Sequence, residues 1–231
     1  MTRQITRHSR AIYGVPNGIQ VTDEGIWVVD QLTDRLALIE NTEPNVWGVA
    51  KIIREFATDS STTSGIAWGE DVMWMAANGP GDRWRPPRET DATTGEILKV
   101  DPQDGRTLAR YPLPGGGGTH GIEYDHFDPG HVWLTTLQQQ TLTLVRSDDW
   151  SIVRTLPLPY GAGHGVVRVE DGLWMVFKED RLICKLDPSD GSVLDQVEIG
   201  PEHPEPHGLS IFDVNLLYCD ATSGWIVEVT L

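Results

Sequence analysis

Apolar residues in this chain come in short runs separated by polar turns, never in a long helical stripe. The most apolar runs are Ile26-Trp27-Val28-Val29-Asp30, Met73-Trp74-Met75-Ala76-Ala77, Val132-Trp133-Leu134-Thr135-Thr136, Leu173-Trp174-Met175-Val176-Phe177 and Leu216-Leu217-Tyr218-Cys219-Asp220. β-Branched and aromatic residues at this density, bounded by Gly, Asp and Asn, predict strands. Each is preceded by an alternating run that opens on the same step, a polar residue, then Gly, then an aliphatic. That step reads Asn17-Gly18-Ile19, Ser64-Gly65-Ile66, His120-Gly121-Ile122, His164-Gly165-Val166 and His207-Gly208-Leu209. A third strand follows, for example Leu36 to Ile39 and Leu182 to Leu186, and then a turn such as Asp101-Pro102-Gln103-Asp104-Gly105. In the first four repeats a fourth strand closes the unit, as in Thr107 to Leu113, Ile152 to Leu158 and Val193 to Ile199.

The glycines of the step stand at 18, 65, 121, 165 and 208, about 43 to 56 residues apart. A period of that size with four strands in each unit predicts an all-β fold, a five-bladed β-propeller of four-stranded antiparallel blades. The fifth repeat ends after its third strand, at Leu231. The N-terminal segment around 3–12 is expected to supply the missing outer strand and so close the ring. One propeller domain is expected over 1–231, with blades near 15–61, 62–117, 118–161, 162–204, and 205–231 with 3–12. Trp27, Trp74, Trp133 and Trp174 recur at one position and are expected to pack between blades.

Charge narrows the partners. A net charge of −16 over 231 residues argues against nucleic acid and against an anionic membrane surface. No stretch reaches the roughly 18 apolar residues a spanning helix needs, and Met1 to Gly14 has no apolar core of a secretory signal. Cys184 and Cys219 show no metal-site spacing and are expected to be buried free thiols in a reducing cytoplasm.

In a propeller the first strand of each blade lines the central channel. The residue before each Gly then recurs at the channel mouth, so Asn17, Ser64, His120, His164 and His207 form a predicted ring. Three are histidine, the commonest metal ligand and the side chain that titrates nearest neutral pH. The set is a candidate catalytic group. It is equally a candidate site for a divalent metal (magnesium, manganese, iron or zinc), since three imidazoles leave a coordination position open. Asp30 and Asp220 end their second strands, and Asn78 and Lys178 lie one place further on, as further rim candidates. Lys178 is the candidate acid, or the partner of an anionic substrate group. An insertion from Gly79 to Gly95 carries Arg83, Trp84, Arg85 and Arg88 and is a candidate binding loop on the same face. His126 and His131 flank a turn on the opposite face, and His8 and His203 are read as surface residues. There is no GxSxG, P-loop or HExxH, and no dinucleotide fingerprint in a strand-to-helix setting, so no organic cofactor is predicted.

The stretch Glu205-Pro206-His207-Gly208-Leu209, with the Gly-Ile and Leu-Trp strand grammar throughout, resembles the virginiamycin B lyase family of propellers. That resemblance implies ring opening of a cyclic lactone by elimination, with magnesium, a channel-mouth histidine as base and a glutamate nearby. The family's base spacing is met by His164 with Trp174, and Lys178 stands where the family has its glutamate. Pro16-Asn17-Gly18-Ile19 through Asp30 is also similar to the gluconolactonase propellers, in which an Asn of this step binds a divalent metal.

The expected function is a lyase acting on a small organic substrate at the channel mouth. His164 is general base or ligand, His120 and His207 are ligands or electrophilic partners, and Lys178 stabilises negative charge. The alternatives are a metal-dependent, lactonase-like hydrolase and a non-catalytic propeller that binds a ligand or a protein.

Overall fold

A computed structural model describes residues 3–42, 44–82 and 85–231. The N-terminal strand β1 (Ile5–Arg10) is followed by four complete blades. They are β2 (Pro16–Thr22), β3 (Gly25–Asp30), β4 (Arg35–Ile39) and β5 (Ile52–Ala57); β6 (Thr63–Gly69), β7 (Val72–Ala77), β8 (Glu96–Val100) and β9 (Thr107–Pro112); β10 (Ile122–Tyr124), β11 (His131–Thr136), β12 (Thr141–Arg146) and β13 (Ile152–Pro157); β14 (Gly163–Val169), β15 (Gly172–Phe177), β16 (Leu182–Leu186) and β17 (Val193–Glu198). The last sheet holds β18 (Leu209–Phe212), β19 (Asn215–Cys219) and β20 (Trp225–Val229), with β1 antiparallel to β20 on its outer edge. The protein is a five-bladed β-propeller, closed by its N-terminal strand. Among the described residues no helix is long and apolar enough to cross a membrane.

Pairing within each blade is set by the glycine step. The aliphatic after the glycine sits opposite a fixed place in the second strand: Ile19 with Val28, Ile66 with Met75, Ile122 with Leu134, Val166 with Met175 and Leu209 with Tyr218. One residue earlier in the second strand stand Trp27, Trp74, Trp133 and Trp174, with Leu217 taking that place in the fifth blade. A two-residue period turns these side chains to the sheet face opposite the aliphatic pair, toward the next blade.

There they build the blade interfaces. Trp27 packs in one cluster with Ile66 and Met75, Trp74 with Ile122 and Tyr124, Trp133 with Val166 and Met175, and Trp174 with Leu209 and Tyr218. Leu217 closes the circle with Ile19 and Val28. All four indoles are buried. Truncating such a side chain to Ala typically costs about 3–5 kcal/mol.

Polar staples cross the same interfaces. Val21 N–H donates to Ser210 Oγ at 2.9 Å, and Arg168 N–H donates to the Glu123 carboxylate at 3.0 Å. Glu123 is buried against Asp125, and burial pushes its carboxyl up to about 8.

The inner strands meet in a closed circle, β2 to β6 to β10 to β14 to β18 and back to β2. A Cβ on Gly65 would lie 2.7 Å from the His120 carbonyl oxygen. On Gly165 it would lie 2.6 Å from that of His207, and on Gly208 2.7 Å from that of Asn17. A Cβ on Gly121 would strike the His164 carbonyl, and one on Gly18 would lie 3.1 Å from Gly65 Cα. Each glycine therefore faces the backbone of the next blade, and only hydrogen fits. The void inside this ring is about 10 Å3, at the lower limit of the space a water molecule needs. The channel is pinched shut beneath the residues that precede the glycines.

Gly65→Ala is expected to destabilise the protein by about 1–3 kcal/mol, because backbone must move to admit the methyl. Gly14→Ala, where nothing lies within 4 Å of the added carbon, is expected to change stability by less than about 0.5 kcal/mol. Urea unfolding of the two variants beside the parent checks this. Equal midpoints would refute the close-approach reading.

Candidate active site

The glycine ring places Asn17, Ser64, His120, His164 and His207 just above the constriction, one from each blade. Above it opens a cavity of about 350 Å3, a volume suited to a small molecule. Its floor carries Asn17 and the three histidines. A second tier comes from the position four residues after Trp27, Trp133, Trp174 and Leu217, held by Gln31, Leu137, Lys178 and Ala221. Gln140, Ala162 and Glu179 complete the wall.

The histidines touch one another. His120 Nδ1 lies 2.8 Å from His164 Nε2 and 3.1 Å from His164 Nδ1, with the rings tilted at 69°. His164 meets His207 edge to face, ring centroids 5.3 Å apart. Local backbone holds them: His120 N–H and Gly121 N–H both donate to Thr135 Oγ1, and Gly165 N–H donates to the His207 carbonyl. His207 Nε2 lies 3.4 Å from Glu205 Oε1, and its Nδ1 lies 3.2 Å from the Glu205 carbonyl and 3.9 Å from Asp220 Oδ1. Lys178 Nζ sits 3.1 Å from Glu179 and 3.7 Å from Glu205.

Burial makes all three imidazoles neutral. It pushes His120 down to about 4, helped by His207 and Lys178. It pushes His164 well below the usual value, helped by His120, His207 and Lys178. His207 is also lowered by burial, but its Glu205 neighbour and Asp220 pull the other way. The trio at neutral pH is therefore a set of uncharged donors and acceptors, with His207 the one whose surroundings favour a proton.

Asn17 is buried in the same floor, and among the described residues its Oδ1 has no hydrogen-bond partner. A buried acceptor left unpaired costs about 1–3 kcal/mol, so this oxygen is suited to a ligand N–H or O–H.

The other expected site residues lie elsewhere or are already engaged. Ser64 Oγ donates to the Thr119 carbonyl at 3.1 Å and accepts from Asn78 Nδ2, while Asn78 Oδ1 accepts from Thr119 N–H at 2.9 Å. Second-blade polar groups are thus spent on the third blade. Asp30 accepts from Val15, from Thr33 N–H at 3.1 Å and from Thr33 Oγ1 at 2.7 Å, and Asp220 accepts from Thr222 N–H and Ser223 Oγ. Both fasten hairpin turns, and their following residues, Gln31 and Ala221, face the cavity.

Arg85 belongs to a different cluster. It lies 2.9 Å from Asp34 and 2.6 Å from Asp91, and Arg88 lies 3.1 Å from Asp34. Burial pushes the Asp34 carboxyl up against lowering hydrogen bonds from Thr63 and Arg85, while Arg85 and Asp91 are each driven toward their charged forms by one another. The insertion is anchored to the first blade, and none of its described residues lines the histidine cavity. Arg83 and Trp84 lie outside the described residues.

A metal fits poorly as the side chains stand. Among the described residues no group of three or more His, Cys, Asp or Glu converges on a metal-binding point. The nearest nitrogens of His120 and His164 are at hydrogen-bonding distance, each occupied by the other. Sequence reasoning missed Gln31, Gln140, Glu179 and Glu205. Glu205 stands two residues before His207, within the Glu-Pro-His-Gly stretch, so only its reach back to the imidazole was hidden.

No family model matches the chain, and no curated protein matches it. Solved structures do. A glutaminyl cyclase from Myxococcus xanthus aligns over 98% of this chain and 93% of its own, with a TM-score of 0.70 and 11% identity. A catalytically inactive histidine-to-alanine virginiamycin B lyase from Staphylococcus aureus, with quinupristin, aligns over 94% of this chain and 66% of its own, at a TM-score of 0.55 and 19% identity. The WD40 domain of Pan2 from Neurospora crassa aligns over 90% and 57%, at 0.54 and 10%. At these identities the likeness is one of fold, and it places the chain among the β-propellers.

Side-chain NMR across pH 7 to 3.5 tests the electrostatics. His120 is expected to stay neutral until about pH 4, and the signals of His164 and His207 are expected to remain those of neutral rings at pH 6.5. An imidazolium at either position at pH 6.5 would contradict the burial argument.

Proposed function

We propose that this propeller is a lyase that removes a proton from a small organic substrate held over the histidine floor. The observation that carries the reading is the row of three adjoining neutral imidazoles at the base of a blind cavity of about 350 Å3. A buried imidazole kept free of its proton is a base ready to accept one. His207 suits that role better than His164, because Glu205 and Asp220 partly offset its burial. In the tautomer whose Nδ1–H donates to the Glu205 carbonyl, 3.2 Å away, Nε2 keeps its lone pair, and the Glu205 carboxylate beside it stabilises the imidazolium that forms.

The step balances without another reactant. Nε2 of His207 takes the proton from the carbon next to a carbonyl. That C–H electron pair becomes a C=C bond, and the bond to the β oxygen breaks toward oxygen. The departing oxygen takes a proton from the Lys178 ammonium. The His120–His164 pair, whose mutual hydrogen bond uses one of its two N–H groups, supplies the remaining neutral N–H for the carbonyl oxygen as charge develops there. Asn17, Gln31 and Gln140 orient the substrate, and Leu137, Ala162 and Ala221 give it an apolar wall. No step is routed through a divalent metal, since the three rings do not converge on one point. Enzymes occur among propellers of similar fold, one of them a lyase whose histidine variant is catalytically inactive.

The test is an untagged protein incubated with a small-molecule extract, with every compound followed by mass spectrometry. The expected result is loss of one compound with total product mass conserved, as elimination requires. His207→Gln is expected to slow that loss by about 100-fold or more with its melting temperature kept. Products that gain one water would identify a hydrolase, and a compound retained unchanged would identify a binding module. Full turnover by His207→Gln would refute the assignment of the base.

A further inference from the structure

The chain has 34 acidic and 18 basic side chains, and its arginines are mostly paired with carboxylates. Arg7 and Arg10 on β1 are different. Both are exposed, and among the described residues neither makes an ion pair. Both guanidiniums lie on the Trp225 ring instead, 5.1 and 4.4 Å from its centre. Stacking on one indole holds two cations at the same aromatic ring, and among the described residues their N–H groups meet no carboxylate.

A groove of about 430 Å3, with Arg7 in its lining, runs between β1 and Asn41, Thr42 and Pro44. Arg7, His8, Asn41, Thr42, Phe212 and Glu228 are among the residues that line it. Glu228, the carboxylate among the described lining residues, already accepts from Asn215 Nδ2 at 2.6 Å. β1 is also the outer strand of its sheet, an edge that an extended segment can follow.

The third feature is a rigid apolar tip. Asn45 Oδ1 accepts from Trp47 N–H at 2.9 Å and from Val49 N–H at 3.2 Å, and Gly48 N–H donates to the Asn45 carbonyl. Arg10 N–H donates to the Gly48 carbonyl at 2.6 Å and ties the turn to β1. The fold thus holds Val46 92% exposed and Trp47 78% exposed. Trp and Arg are the residues that carry most energy in interfaces.

We propose that this rim is a docking site for an acidic, extended peptide segment of a partner protein. Its carboxylates lie on Arg7 and Arg10, and an apolar side chain packs on Trp47. A second copy in a twofold contact fits less well where the axis passes close to the rim, since residues near the axis meet their own copies and Arg7 and Arg10 would then repel. The site lies on the outer edge of the fifth blade and does not depend on what the channel mouth does.

Fluorescence anisotropy of the full chain with a labelled peptide of about eight residues alternating glutamate and leucine tests the proposal. Saturable binding is expected, weakening with salt and falling about 10-fold or more in the Arg7→Glu/Arg10→Glu variant. Trp47→Ala, a surface change that leaves the β1 pairing intact, is expected to weaken it too. No binding by the parent at concentrations on the order of 100 μM, equal binding of a lysine–leucine peptide, or unchanged binding by the double variant with an unchanged melting curve would overturn it. A dimer in sedimentation velocity that Trp47→Ala dissolves would overturn it in favour of a second copy.

Discussion

Five inner strands crowd the axis of this protein so closely that a hydrogen atom is all that fits between one blade and the backbone of the next. The channel floor follows from that contact. Because the glycines seal the axis, the residues before them become the bottom of a cup rather than the lining of a tunnel. Because the blades are equivalent, those residues come from five blades yet each stands directly before its axial glycine, within the inner strand for Asn17, Ser64 and His164 and just ahead of it for His120 and His207. Three neighbouring histidines then meet without any local sequence motif joining them. The tryptophans act at larger radius, filling the wedge between blades where the inner strands diverge.

The chemistry of the cup is a contest between burial and neighbours. Burial opposes charge on each imidazole, and Lys178 adds to that opposition for all three. Among the described residues only His207 has carboxylates close enough to answer, Glu205 at 3.4 Å and Asp220 at 3.9 Å. One position out of three is thereby made different, although the backbone treats the three alike.

The periodic features were legible in the sequence because they are local and repeated. The glycine step, the strand grammar and the completing N-terminal strand belong to this class, and so does the packing of the tryptophans. What the chain order concealed was side-chain direction at strand ends. Asp30 was expected at the rim, but a single residue changes the side a strand presents, and an Asp at a turn finds backbone N–H groups first; Asp220 is fastened to its turn in the same way and still lies 3.9 Å from His207. Gln31 and Ala221 face the cavity in their stead. Ser64 and Asn78 occupy equivalent positions to working residues, yet Thr119, far away in sequence, claims both. Arg85 was expected over the mouth, and Asp34 from the first blade holds it elsewhere. The differences at Ser64, Asn78 and Arg85 arise from partners distant in sequence, which periodicity does not encode, while those at Asp30 and Asp220 arise from turn groups two or three residues on.

The account rests on the histidines serving as neutral acid–base groups that bond to one another and to Glu205. Metal content of untagged protein, measured by plasma mass spectrometry beside His120→Ala, His164→Ala and His207→Ala, tests this most directly. The account predicts metal far below one equivalent, unchanged across the variants, even after reloading with magnesium, manganese, iron or zinc. Near-stoichiometric metal that disappears in all three variants would contradict it and make the trio a ligand set.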